Sequence, residues 1–476
     1  MKSLHNSTDP FLHRTRRLNS ESVIAGPVIY WMNRDQRYQD NWALLQAQSE
    51  AIRLSQPLIV VFFLHTQYMY AKTEHLDFML SGLSETARIL ESNNIPFILK
   101  LSEPPAALIE LTLRTGAGLI VTDFSPLRHV RAWCGHLAKL ASKHGIALWE
   151  TDAHNIVPCW KTSDKQEYAA RTIRSKINRQ LLDWLTYYPK NEAHPYSIND
   201  SQRKALNYKE AVSEISNVLQ NINRLRASEA YTQNNPQSGF VAAKLRLETF
   251  ITNSLINYES RNNPNCKVTS QLSPYLNYGQ ISAQTVALRI LETVNLKPEL
   301  SSQAFLFLED LIIRRELSDN YCFYNQFYDS FSGFPSWACD TLNVHRGDLR
   351  TYLYSAKTLL NAQTHDDLWN AVQLDLRDNG TMPGYLRMYW AKKLLEWSLT
   401  PEIALETAIH LNDSLALDGR DPNGYTGIAW SIGGTHDRPW PERSVFGKIR
   451  YMSYDGCKRK FSISDFIKKG DNFYYE

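Results

Sequence analysis

Between residues 25 and 160 the chain alternates short apolar runs with amphipathic stretches, and no other feature narrows its fold as much. β-branched or aromatic runs occupy 27–32 (PVIYWM), 57–64 (PLIVVFFL), 96–101 (PFILKL), 118–124 (GLIVTDF) and 146–150 (IALWE). Stretches of helical period fill 39–54, 75–93, 104–115 and 127–144 between them. Strands apolar on both faces, each followed by a helix, predict a parallel sheet covered by helices, so 25–160 reads as a Rossmann-like α/β domain. Asn93–Asn94 and Gly145 are placed to end two of those helices. Neither G-x-G-x-x-G nor G-x-x-x-x-G-K-[ST] occurs in this half, so nothing there signals NAD or ATP. Its strand ends remain a place for some ligand.

Residues 161–240 are polar and amide-rich, and read as a connector between two lobes. From 241 to 476 the chain reads as a second, all-α domain. Helical period recurs near 240–257, 280–293, 302–318, 347–361, 366–376, 384–398 and 401–411, and the last sixty residues show no long helix. Residues 1–24 read as a flexible tail, because Arg14, Arg16 and Arg17 are not followed by the apolar stretch of a secretory signal. The longest apolar run, Pro57 to Leu64, is far short of the ~20 residues that span a bilayer, so no membrane is expected.

Six scattered cysteines without C-x-x-C exclude a disulfide scaffold and argue against a structural zinc. No metal is expected, and reduced thiols suit a cytoplasmic protein, or a nuclear one in a eukaryote. Without a heptad or an apolar surface stripe, a monomer is expected. A net charge of +3 permits a polyanionic partner without demanding one.

Four segments carry chemistry. Residues 268–282, VTSQLSPYLNYGQIS, set hydroxyls before a helix, which suits phosphate and equally an ordinary N-cap. Residues 307–325, FLEDLIIRRELSDNYCFYN, embed Glu309, Asp310, Arg314, Arg315 and Glu316 among apolar neighbours, with Asp310 and Arg314 spaced as an i,i+4 pair. Charges held so near a core are more often functional than decorative. In PGYLRMYWAKKLLEW, 383–397, Trp390 and Trp397 fall on one helix face, about 10.5 Å apart along its axis. Six of the twelve tryptophans lie between Trp337 and Trp440. A core role would explain that stripe as well. Finally, 411–453 mixes Trp440 with Arg438, Arg443, Lys448 and Arg450, combining stacking faces with phosphate-pairing charge.

In this order, the four segments resemble the photolyase/cryptochrome family, and specifically class II cyclobutane pyrimidine dimer photolyases, over residues 25–455. The most specific stretch is LDGRDPNGYTGIAWSIGGTHDRPWPERSVFGKIRYMS. The resemblance implies an α/β antenna domain before a helical domain that binds FAD. It implies light-driven repair of cyclobutane pyrimidine dimers in ultraviolet-damaged DNA. By the same resemblance, Tyr258, Thr269, Ser270, Gln271, Leu272 and Ser273 hold the FAD phosphates and ribityl chain. Arg387 and Asp418 lie against the flavin ring, Asn412 faces its N5, and Asp421 and Asn423 are further cofactor contacts. Trp390, Trp369 and Trp397, in that order outward, resemble an electron relay. Asp310, aided by Glu309, stands where relatives place an acidic substrate contact, commonly Glu. Arg314, Met388, Trp430, Arg438, Trp440, Arg443 and Lys448 are implied at the lesion and the DNA backbone. A second, antenna chromophore could be a deazaflavin, a folate or none. The alternative is a cryptochrome-type blue-light photoreceptor without repair activity.

Overall fold

The computed structural model describes residues 13–65, 70–208, 211–226 and 236–471. Strands β1 (Thr15–Arg17), β2 (Val28–Met32), β3 (Leu58–Phe63), β4 (Phe97–Lys100), β5 (Leu119–Asp123) and β6 (Ala147–Thr151) form one sheet. Its order is β1-β6-β5-β2-β3-β4. All pairings are parallel except β1 with β6. Helices α1 (Trp42–Arg53), α2 (Thr73–Ser92), α3 (Pro104–Thr115) and α4 (Arg128–Lys143) cover it. Tyr30, Val60 and Val121 face a core shared with α1 and α2. Ile29, Trp31 and Val61 face the other core, with Leu108 of α3 and Leu137 of α4. The predicted strands and helices of this half thus lie within a few residues of their sequence positions. Asn94 and Gly145 adopt the left-handed conformation at helix ends.

The expectation of a flexible tail fails from residue 13 onward; residues 1–12 lie outside the described residues. Arg14 is 1% exposed. Its guanidinium donates to the carbonyls of Asn155 at 3.0 Å and Ile156 at 2.7 Å, while β1 adds an antiparallel edge to β6. Arg14 thus satisfies buried carbonyls, while Arg16 pairs with the buried Glu150 carboxylate at 2.6 Å.

The connector is largely helical, and Ile215 and Ile222 of Ala211–Arg226 join the core beside α2. Beyond it the chain is helical, with several differences from the periodicity, among them a helix Ser336–Val344 where none was expected. The expected helix 302–318 divides into Ser301–Leu308, a π-helical turn Glu309–Arg314, and Arg315–Tyr324. The expected helix 347–361 is reduced to Ala356–Leu360, because the preceding loop carbonyls are taken by the Arg350 side chain rather than by a helical ladder. The tail region does hold a long helix, Pro422–Gly433. Its glycines are poor helix formers, but buried Tyr425, Ile428, Ala429 and Ile432 fix it in the core.

Residues of RRELSDN clasp the helical lobe to the α/β lobe. Arg34, just beyond β2, makes two bonds to Asp319, at 2.6 and 2.9 Å. Asn155 adds a third at 2.9 Å. Glu316 accepts the backbone N–H of Ile156 at 2.7 Å, and Arg315 donates to the carbonyl of His154 at 3.0 Å. Burial pushes the Asp319 carboxyl up, but Arg34 outweighs it and holds the group at about 2, below its ordinary 3.8.

Replacing Arg34 by Ala should cost about 3–5 kcal/mol in denaturant titrations, because Asp319 is left buried and unpaired. The Asp319 contribution is fully present above pH 3.8 and is lost as pH falls through about 2. Wild type should therefore lose stability faster than Asp319→Asn across that window.

Candidate functional site

Helix Gly384–Glu396 presents Arg387 from its first turn, facing the C-terminal end of helix Pro401–Leu415. Arg387 donates to Asp418 at 3.2 Å and to Asn412 Oδ1 at 3.3 Å. Asn412 is 1% exposed, and its Nδ2 donates to Asp413 at 3.0 Å. Asp413 also accepts the backbone N–H of Arg420 at 2.9 Å and the Tyr425 hydroxyl at 2.7 Å. With one end held by a guanidinium and the other by a carboxylate, the amide has a defined orientation. The crowding reaches Gly424, where a Cβ would lie 2.9 Å from Asn412 Nδ2.

Asp421 and Asn423 are placed differently. Asp421 caps helix Pro422–Gly433, accepting from the backbone and side-chain nitrogens of Asn423 at 2.8 and 2.6 Å, and lies 3.9 Å from Arg34. Their contacts run to the clasp between the lobes.

Three tryptophans form one column. Trp390 and Trp369 are parallel, with centroids 6.4 Å apart. Trp369 and Trp397 meet edge to face at 5.5 Å. Trp390 Nε1 donates to Gln373 at 2.8 Å, and Trp369 Nε1 to the carbonyl of Trp390 at 3.1 Å. Residues 369 and 390 come from antiparallel neighbours, Asp367–Asn379 and Gly384–Glu396, so the column crosses between helices.

The π-helical turn re-aims the acidic pair. With one extra residue per turn, Glu309 rather than Asp310 lies over Arg314, at 4.0 Å. The expected Asp310–Arg314 pair is therefore absent. Asp310 instead accepts from Arg261 at 2.8 Å and from the Tyr258 hydroxyl at 3.1 Å, while Glu309 is held by Arg174. Desolvation and the Asp310 carboxylate push the Tyr258 hydroxyl well above its ordinary pKa. Arg314 stays largely exposed. Thr269, Ser270, Gln271 and Leu272 form the turn before the short helix Ser273–Asn277. Leu272 is buried beneath the exposed Thr269, Gln271 and Ser273. Gln271 is left-handed at φ 53°.

The 437–450 loop packs its cations around Trp440 and the neighbouring Trp430. Lys392 Nζ lies 4.8 Å from the Trp430 ring centre, Arg450 4.7 Å from that of Trp440, and Arg438 5.7 Å from it. Arg443 stacks on Tyr451 at 4.4 Å. Arg438, Arg443 and Lys448 are exposed, and Met388 is half-buried one residue after Arg387. Asp348 pins the loop by accepting the Val445 N–H at 2.8 Å. Periodicity had no signal for Arg261, Gln373 or Lys392, whose partners lie 17 to 49 residues away, nor for Asp413, whose partners sit in the turn and helix that follow it.

A family model described as DNA photolyase matches residues 28–195. The deoxyribodipyrimidine photo-lyase of Potorous tridactylus is 44% identical over 450 residues, covering 93% of this chain and 80% of that one. The chain belongs to the DNA photolyase family. The photo-lyase of the same name from Arabidopsis thaliana is also 44% identical, covering 93% and 88%. An archaeal photolyase structure from Sulfolobus tokodaii, solved with two FAD molecules, superposes with a TM-score of 0.68 at 15% identity, covering 93% and 89%. That likeness concerns the fold. The photolyase architecture, a parallel α/β domain followed by a helical one, is the one described above.

Burial drives the Lys392 ammonium of this photolyase down to about 7 from its ordinary 10.5. The unfolded chain therefore binds this proton more tightly, and wild type gains stability as pH rises from about 7 towards 10.5. Lys392→Met should abolish that gain, so its stability advantage over wild type shrinks across the window in urea titrations.

Proposed function

We propose that this photolyase uses light to split cyclobutane pyrimidine dimers in DNA, as a class II enzyme, with FAD bound in the helical domain. The observation that carries the reading is the polar cluster of Arg387, Asp418 and Asn412 at the start of the helix that also supplies Trp390. Relatives named for this activity, at 37–44% identity over nearly the whole chain, favour repair over a photoreceptor role.

The donor set suits a flavin. Gln373 is 0% exposed and its Nε2 has no hydrogen-bond partner among the described residues, which leaves a donor for a bound ring. Arg387 and Asp418 offer paired charge against a ring face, and Asn412 offers a neutral amide that can donate or accept. Tyr258, Thr269, Ser270, Gln271, Leu272 and Ser273 hold the phosphates and ribityl chain, with Asp421 and Asn423 acting through the cap. Reduced FAD held by these residues would supply blue-light absorption and reversible one-electron transfer to the dimer. A second chromophore, of the deazaflavin or folate class, would sit in the crevice beyond β2, β3 and β5, lined by Trp31, Arg34, His65 and Tyr278.

Enzymes that act on a base take it out of the stack, and a dimer, which pairs poorly, is cheaper to extrude. Arg261 and Tyr258 hold the Asp310 carboxylate at the rim, where it meets the flipped dimer. This geometry suits the short Asp side chain, because Arg261 fixes the carboxylate that a longer Glu would carry further. Trp430 and Met388 line the lesion pocket with Arg314 at its edge, and Trp440 fills the gap left in the duplex. Arg438, Arg443 and Lys448 pair with phosphates. Trp390, Trp369 and Trp397 replenish the reduced cofactor.

Trp390→Phe should lose most photoreduction of bound FAD, while the same variant, chemically reduced, still repairs in light. Normal photoreduction would remove the relay assignment. Arg443→Ala should weaken binding to dimer-containing duplex and lower the salt slope, d log K/d log[salt], by about 0.9; an unchanged slope would take Arg443 out of the interface.

A further inference from the structure

The column of indoles ends at Trp397, which is 3% exposed, so a relay of these three residues alone would stop short of solvent. Two aromatic groups extend it. Tyr354 meets Trp397 edge to face at 5.3 Å, and His365 lies 5.4 Å away. The Tyr354 hydroxyl and His365 Nδ1 are hydrogen-bonded at 2.5 Å. The same phenol oxygen accepts the backbone N–H of His365 at 3.1 Å. Tyr352, 45% exposed, stacks on the imidazole at 3.7 Å and holds it in place. Tyr354 is half-buried and His365 exposed, so the pair sits at the protein–water boundary.

The hydrogen-bond acceptors along the column differ in kind. The N–H of Trp390 meets a side-chain amide oxygen and that of Trp369 a backbone carbonyl, neither of which takes a proton in water near neutral pH. An oxidised indole at either position therefore keeps its proton and passes the hole on as a cation. The Tyr354 hydroxyl is hydrogen-bonded to an imidazole nitrogen, a group that does accept protons.

We propose that Tyr354 and His365 end the relay as a proton-coupled pair, with His365 Nδ1 as the base. The inference rests on the reading of Trp390, Trp369 and Trp397 as the relay. Light-driven electron transfer to the oxidised flavin leaves a one-electron hole, which moves outward to Trp397. One electron then passes from the Tyr354 ring to the Trp397 cation and restores the neutral indole. The phenolic O–H bond breaks, its proton forms the Nδ1–H bond of His365, and the products are a neutral tyrosyl radical and an imidazolium. The His365 backbone N–H stays on the phenoxyl oxygen. Back transfer then needs the proton as well as the electron, so the separated charge persists.

Flash photolysis of the FAD-loaded protein, followed by transient absorption and electron paramagnetic resonance, tests the pair. Wild type should show a tryptophan cation giving way to a neutral tyrosyl radical, more slowly in D2O. Tyr354→Phe should stop at the tryptophan cation and shorten the radical lifetime on the order of tenfold, equivalent to one 1.36 kcal/mol step in the barrier. His365→Ala should lose most of the tyrosyl signal and regain it with added imidazole, a rescue that a merely structural residue would not show. Tryptophan radicals with unchanged decay in Tyr354→Phe would overturn the proposal and leave the relay standing. Photoreduction unaffected by Trp390→Phe would instead overturn the relay reading beneath it.

Discussion

The bond between Arg34 and Asp319 sets where everything else can be. Arg34 leaves the end of β2 in the α/β lobe, and Asp319 lies one turn beyond the π-helical segment that carries Asp310. The same guanidinium lies 3.9 Å from Asp421, the cap of the helix that carries Gly424 and Trp430. One cation thus fixes the helix that follows the π-helical turn, the helix packed against Asn412 and the end of the central strand β2 in a single frame. An ion pair this buried contributes little net stability, since desolvation offsets much of its attraction. Its value lies in position, because a shifted register would strand a charge in the interior.

The same logic runs through the site. Asp123 accepts the backbone N–H groups of Asn33, Arg34 and Asp35 at 2.9, 2.7 and 2.5 Å, and so shapes the loop that delivers Arg34. Burial pushes that carboxyl up to about 7. Asp413 holds Asn412, Arg420 and Tyr425 in one place. These carboxylates act as organisers, whereas Gln373 Nε2 has no hydrogen-bond partner among the described residues and Arg438, Arg443 and Lys448 are exposed.

How much of this was legible in the sequence depends on what each element rests upon. β2, β3 and β5 announce themselves because strands buried on both faces must be apolar throughout. β1 is three polar residues whose only reason to be a strand is β6, so it read as tail. The π-helical turn was invisible because one inserted residue leaves the apolar spacing almost intact while moving Glu309, not Asp310, over Arg314. Helix Pro422–Gly433 was missed because three glycines lower its propensity and only packing restores it. Trp390, Trp369 and Trp397 were named from resemblance, and the structure brings them into contact; Tyr354 and His365, on either side of a short helix, carried no periodic signal.

The central claim concerns chemistry at the Arg387–Asn412–Asp418 cluster, and restored thymine is its most direct readout. Protein carrying fully reduced FAD would be mixed with an oligonucleotide containing one thymine dimer, then given blue light or kept dark. The account predicts one dimer restored per photochemical event in the light and none in the dark. A dark sample that repaired, or an illuminated one that bound the dimer without opening it, would contradict it.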